Sequence, residues 1–190
     1  HWFDDKPLFG KRVLVPRTRE QAGALSQLLM ENGADPLEIP TIEIKPVEDH
    51  TRLDSALTSM SRYDWVVFAS VNGVSQVFQR LEHLNMDARV FSGTRVCAIG
   101  PVTAAALKER GIRADFKPRE SVSEAMVTGL TEEGVRGKSI LLLRAEVGRD
   151  VLSQGLSQAG ALVDDVAVYR TVMPEESREK LRDLVAQGRV

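Results

Sequence analysis

The sequence has 190 residues, 43% of them apolar and 27% charged, enough for one large or two small globular domains with a buried core. A formal charge of −2, with no dense lysine or arginine run, supplies no basic field for nucleic acid. The apolar runs are strand-length and no signal-like start is visible, so no membrane span is expected and the cytoplasm is the expected compartment.

Strand-like runs alternate with amphipathic stretches along almost the whole chain, which predicts α/β units around parallel sheets. In chain order the runs predict strands at 12–15, 37–44, 65–69, 95–99, 113–116, 139–143 and 163–170. Helices are predicted between them, at 19–32, 51–60, 73–84, 102–110, 122–130, 148–159 and 175–187. Gly33, Gly111 and Gly160 stand where left-handed helix caps are needed. The stretch VVFASVNGVSQVFQRL, residues 66–81, carries an Asn72-Gly73 pair that would ordinarily signal a hairpin turn. Val74, Val77, Phe78 and Leu81 instead follow helical spacing, so the pair is expected to end a strand and open a helix.

Two segments match at one offset without a gap: GKRVLVPRTREQAGALSQLLMENGA from Gly10 and GKSILLLRAEVGRDVLSQGLSQAGA from Gly137. They read as a repeated half-domain. Each is followed by an extended segment ending in proline, PTIEIKP from Pro40 and VYRTVMP from Val168. Those segments suit a pair of linker strands at 40–46 and 168–174, with 47–167 an inserted, complete second domain. Residues 1–39 and 175–190 then form a discontinuous first domain, expected to be partial because they supply too few strands for a core of their own.

Ligands of open α/β sheets bind beyond the carboxyl ends of the strands, where helix amino termini offer free N–H groups. Three such points carry small or capping residues: Ser70-Val71-Asn72-Gly73, Gly100-Pro101-Val102-Thr103 and Ser121-Val122-Ser123 followed by Glu124. Each is also explained by helix capping alone; together they fit a ligand with several anionic groups. Arg17 and Arg144 occupy the same place in the repeat, where a guanidinium either holds a carboxylate or pairs with a neighbouring helix. Tyr169, on the second linker strand, offers a phenol for hydrogen bonding, or is an ordinary surface-strand tyrosine. Cys97, the single cysteine, sits in the apolar run VCAI and reads as a buried small residue, and no internal disulfide can form. The three histidines, His1, His50 and His83, lack partners at ligand spacing, so no metal site is expected. Neither a dinucleotide nor a P-loop motif occurs.

The order GKRVLVPR, LEIPTIEI, YDWVVFASVNGV, VCAIGPVTAAAL and VYRTV resembles uroporphyrinogen-III synthase over nearly the whole chain. The opening WFDDKPLFGKRVLV also resembles the junction at which that synthase is fused behind a uroporphyrinogen-III C-methyltransferase. The resemblance implies two flavodoxin-like parallel-sheet domains joined by a two-stranded linker, working as a monomer without cofactor or metal. It implies that linear hydroxymethylbilane loses water and closes to uroporphyrinogen III with ring D inverted through a spiro intermediate. The substrate's carboxylates would meet the three helix starts, and Tyr169 matches the family's linker tyrosine, which would assist departure of the hydroxyl. It further implies that the first domain's second half, with a similar Gly-Pro-x-Thr turn, lies outside this sequence. Two other readings stay open: a non-catalytic anion- or tetrapyrrole-binding module on the same scaffold, and an FMN-binding relative of flavodoxin.

Overall fold

The computed structural model describes residues 6–16 and 19–188. The chain divides into two compact units, Lys45–Arg170 and one drawn from His1–Ile44 with Thr171–Val190.

In the terminal unit, β1 (Arg12–Val15) pairs in parallel with β2 (Asp35–Glu38) across α1 (Arg19–Glu31), and α7 (Glu175–Ala186) lies near the chain's end. Between β2 and β3 (Glu43–Pro46) the expected single strand at 37–44 is broken. Pro40 has no N–H to give a ladder, so the extended segment becomes two short strands.

The larger unit is built on a five-stranded sheet ordered β3-β7-β6-β4-β5. Its strands β4 (Trp65–Phe68), β5 (Arg95–Ala98), β6 (Ser139–Ala145) and β7 (Leu162–Val172) are joined by parallel ladders. The connecting helices are α3 (Val71–His83), α4 (Pro101–Glu109), α5 (Ser123–Glu132) and α6 (Val151–Gln158), with α2 (Thr51–Thr58) leading into β4. Continuous apolar strands must be covered on both faces. On one face Trp65, Val67, Ile140 and Leu142 pack against Met126 and Leu130 of α5 and Leu152 and Leu156 of α6. On the other, Phe68 meets Phe91 edge-on at 5.8 Å, and Phe78 of α3 lies 6.2 Å from Phe91. The Asn72-Gly73 pair opens α3, whose Val74, Val77 and Leu81 are buried, as the helical spacing predicts. Gly33 and Gly160 both close helices with φ of +89°, the left-handed conformation expected of them.

The strand expected at 113–116 is reduced to one isolated bridge between Cys97 and Phe116. The Asp115 carboxylate takes the Val96 N–H at 2.7 Å in place of a backbone acceptor, and Pro118 follows at once. A side chain therefore occupies the ladder and the extended run stops. Cys97 is fully buried, and burial pushes its thiol pKa up.

Candidate functional site

At the carboxyl edge of the five-stranded sheet, the chain leaves β4 through Ser70, in extended conformation (φ −166°, ψ 160°). The Ser70 hydroxyl accepts the Gly73 N–H at 3.0 Å and so caps α3. Gly73 packs its bare Cα into this corner: a Cβ there would stand 3.3 Å from Ser70 Oγ and 3.7 Å from both the Leu143 carbonyl and Val168 Cγ2. Val71 and Asn72 remain exposed on the first turn of α3.

The same serine hydroxyl lies 3.0 Å from the Tyr169 phenol, 99 residues further along the chain. Tyr169, 7% exposed, comes from β7 at an irregularity. Arg144 pairs with Ala167 but Ala145 pairs with Tyr169, so Val168 is an extra residue and the strand bulges there. The Ser70 hydroxyl, already accepting from the Gly73 N–H, can donate its own proton to the phenol oxygen or accept the phenol's.

One strand further out, Gly100 caps α4 with extended backbone and Pro101 fills the first helical position. Val102 is exposed, whereas the Thr103 side chain is buried at 4%, leaving the first turn's backbone rather than that hydroxyl for a ligand. The next loop closes onto this turn, since a Cβ on Gly100 would overlap Ser121 Oγ and stand 2.9 Å from Ser121 Cβ. Ser121 does not cap α5: the cap residue is Val122, which makes no side-chain cap bond, and Ser123 opens the helix. The structure thus brings Ser70, Val71, Asn72, Gly73 and Tyr169 into one corner and Gly100, Pro101, Val102, Thr103, Ser121, Val122 and Ser123 into a second, on the same edge of one sheet.

Arg144 stands apart from both corners chemically. Its Nε donates to both oxygens of Asp165 at 2.7 and 3.0 Å, Nη1 to the Ala145 carbonyl at 3.1 Å and Nη2 to Asp150 Oδ1 at 3.2 Å. Asp165's hydrogen bond raises the guanidinium pKa further, so the charge is permanent. Its partner in the repeat, Arg17, lies outside the described residues.

Sequence reasoning missed the bonds that assemble the site: Ser70 to Tyr169, Ser121 against Gly100 and Arg144 to Asp165. One signal was present, the Asp164-Asp165 pair set among the apolar residues of the first half of β7, because a carboxylate entering a sheet core must find a partner. Near the amino end of β7, Asp164 takes hydrogen bonds from Tyr63, Arg52 and Arg62. Burial opposes its ionisation, but the bonds from Tyr63 and Arg52 outweigh this and hold its pKa below the usual range; burial pushes Tyr63 up. Among the described residues no cluster of three or more His, Cys, Asp or Glu side chains is arranged for a metal, and no helix is long and apolar enough to cross a membrane.

The family model described as uroporphyrinogen-III synthase HemD matches residues 23–190. A porphyrin biosynthesis protein HemD of Ruminiclostridium josui is 32% identical over 187 residues, covering 98% of this chain and 37% of the relative. A uroporphyrinogen-III synthase of Synechococcus elongatus is 34% identical over 175 residues, covering 90% of this chain and 65% of the relative. The chain therefore spans less than two thirds of the length of either. A solved mutant uroporphyrinogen III synthase of Thermus thermophilus superposes with a TM-score of 0.70 at 18% identity, covering 95% of this chain and 70% of that one. That likeness is one of fold, a mixed α/β architecture with parallel sheets.

Proposed function

The chain belongs to the uroporphyrinogen-III synthase family, and on that premise we propose that the protein containing it converts linear hydroxymethylbilane to uroporphyrinogen III. The observation that carries the reading is the Tyr169 phenol held 3.0 Å from the Ser70 hydroxyl at the start of α3. Tyr169 is the acid that assists loss of the substrate hydroxyl as water. The resulting azafulvene is attacked by the substituted carbon of ring D, and the spiro intermediate fragments and recloses with that ring inverted.

The binding residues of this reading are Ser70, Val71, Asn72, Gly73, Gly100, Pro101, Val102, Thr103, Ser121, Val122 and Ser123, with Arg17 a further carboxylate partner. Carboxylates meet main-chain N–H groups at helix starts, which suits an anionic substrate on a chain with a formal charge of −2. Because the bilane also closes unaided to the uninverted isomer, the protein's chief task is to hold the substrate in the fold that favours the spiro route. The reading extends to architecture: two flavodoxin-like domains, 1–39 with 175–190 and 47–167, joined by linker strands 40–46 and 168–174, acting as a cytoplasmic monomer. It also includes fusion behind a methyltransferase domain, in keeping with the greater length of the Ruminiclostridium josui relative.

The test is to incubate the full-length protein with freshly generated hydroxymethylbilane, oxidise the products and separate the uroporphyrin isomers. An excess of isomer III is expected, reduced by roughly 10- to 100-fold in rate by Tyr169→Phe. Isomer I alone from a folded protein overturns the reading and leaves a binding module.

A further inference from the structure

We propose that Arg144 is a positioning residue for Tyr169: its guanidinium holds the β-bulge that sets the phase of β7 and so aims the phenol at Ser70. The inference rests on the synthase reading for its effect on turnover, but its structural half stands apart from that reading.

The ladder between β6 and β7 runs in step from Ser139–Leu162 to Arg144–Ala167 and then skips, pairing Ala145 with Tyr169. A regular ladder would set Val168 against Ala145 and Tyr169 against Glu146. A slip of one residue exchanges the faces of a strand's side chains. Both faces of the sheet are covered and adjacent residues Val168 and Tyr169 are both buried, at 1% and 7%, so the skip decides which face receives the phenol. Beyond the skip, pairing resumes with the Glu146 N–H on the Tyr169 carbonyl at 2.8 Å.

A bulge interrupts ladder hydrogen bonding and needs another source of support. Arg144 is the last residue before the interruption and supplies that support at three points. Its Nη1 donates to the Ala145 carbonyl, on the bulged step itself; its Nε grips Asp165, upstream on β7; its Nη2 reaches Asp150, the residue before α6. The side chains of Arg144 and Asp165 are only 20% and 24% exposed, so the pair is shielded from competing water. Three donations in different directions need the planar fork of arginine, and the point charge of lysine cannot reproduce them. An arginine that from sequence alone could hold a substrate carboxylate is committed instead to the strand that carries the acid.

The experiment is a double-mutant cycle in the full-length protein: Arg144→Lys, Tyr169→Phe and both together, read by kcat and KM for isomer III, thermal midpoint, and the NMR signals of labelled tyrosine. Within this chain only Tyr63 and Tyr169 contribute, and Tyr169→Phe identifies the second. Arg144→Lys is expected to lower kcat by roughly tenfold with KM little changed, to shift the Tyr169 signal, and to cost less than about twofold more once Tyr169 is already Phe. Asp165→Asn, which keeps the side chain's shape, is expected to reproduce the shift and serves if the lysine variant does not fold. A raised KM with unchanged kcat would make Arg144 a substrate ligand and overturn the proposal, as would additive losses or an unmoved Tyr169 signal. A wild-type protein that makes no isomer III sinks the synthase reading alone, because the NMR arm still decides whether Arg144 aims the phenol.

Discussion

Gly100 shows how much of a site can hang on a missing methyl group. A Cβ at this position would overlap Ser121 Oγ and come within 2.9 Å of Ser121 Cβ, so the loop before α5 would be pushed off the first turn of α4. Gly100→Ala is expected to lower stability by about 1–3 kcal/mol. The companion Ser121→Ala removes only the hydroxyl and should restore little, whereas Ser121→Gly removes both crowded atoms and should restore most of the thermal midpoint. Equal rescue by the two would mean that the serine's oxygen, not its carbon, sets the spacing. This contact was not legible in the sequence, where Gly100 reads simply as the small residue before Pro101. What could be read were the local roles: a strand ending, a small turn, a helix starting. Ser70 and Tyr169 were each legible as polar groups near such ends, but their bond spans 99 residues and depends on a bulge that no local pattern marks.

Among the elements, helix spacing decided correctly between hairpin and helix at Asn72-Gly73, because four apolar positions at i, i+3, i+4 and i+7 outweigh one turn dipeptide. The segment 113–116 failed for the converse reason: its apolar content is strand-like, but Asp115 spends its carboxylate on the Val96 N–H that a neighbouring strand's backbone would take. The packing of α2 on α3 carries a pH prediction. Arg80 donates to Asp54 through Nε and Nη2, both at 2.6 Å, with side chains 20% and 30% exposed. That hydrogen-bonded pairing lowers the Asp54 pKa from 3.8. Unfolded Asp54 therefore binds its proton more readily than folded Asp54. The pair's contribution is complete above the ordinary aspartate range and is lost as pH falls below it toward the folded value. Asp54→Asn should cost about 1 kcal/mol near neutrality and flatten the decline in thermal midpoint below about pH 4. An unchanged acid slope in the variant would locate that decline in other carboxylates.

At the scale of the whole chain, the repeat seen in the sequence recurs in several backbone hydrogen bonds. Lys11 N–H bonds the Leu8 carbonyl at 3.0 Å as Lys138 bonds Val135 at 2.9 Å, and Asp35 bonds Lys11 as Leu162 bonds Lys138, each at 2.8 Å. Arg12 pairs with Asp35 and Val15 with Glu38 in the same register as Ser139 with Leu162 and Leu142 with Asp165. Even the leading glycines match, with φ of +71° at Gly10 and +74° at Gly137. The turns and strand register are therefore common to both copies, and their surroundings are not. β6 has strands on both sides and buries Ile140, Leu141, Leu142 and Leu143 completely, whereas β1 belongs to a two-stranded sheet in which only Val15 is buried. A two-stranded sheet has little stability of its own, and burial of apolar surface sets the rest. Hydrogen exchange on the 190-residue chain should separate the copies. Amides of Ile140 to Leu143 are expected to exchange only through global unfolding, and those of Val13 and Leu14 at least about tenfold faster through local opening. Equal protection in the two strands would mean that the shared turn and register bonds, rather than tertiary burial, hold each copy together.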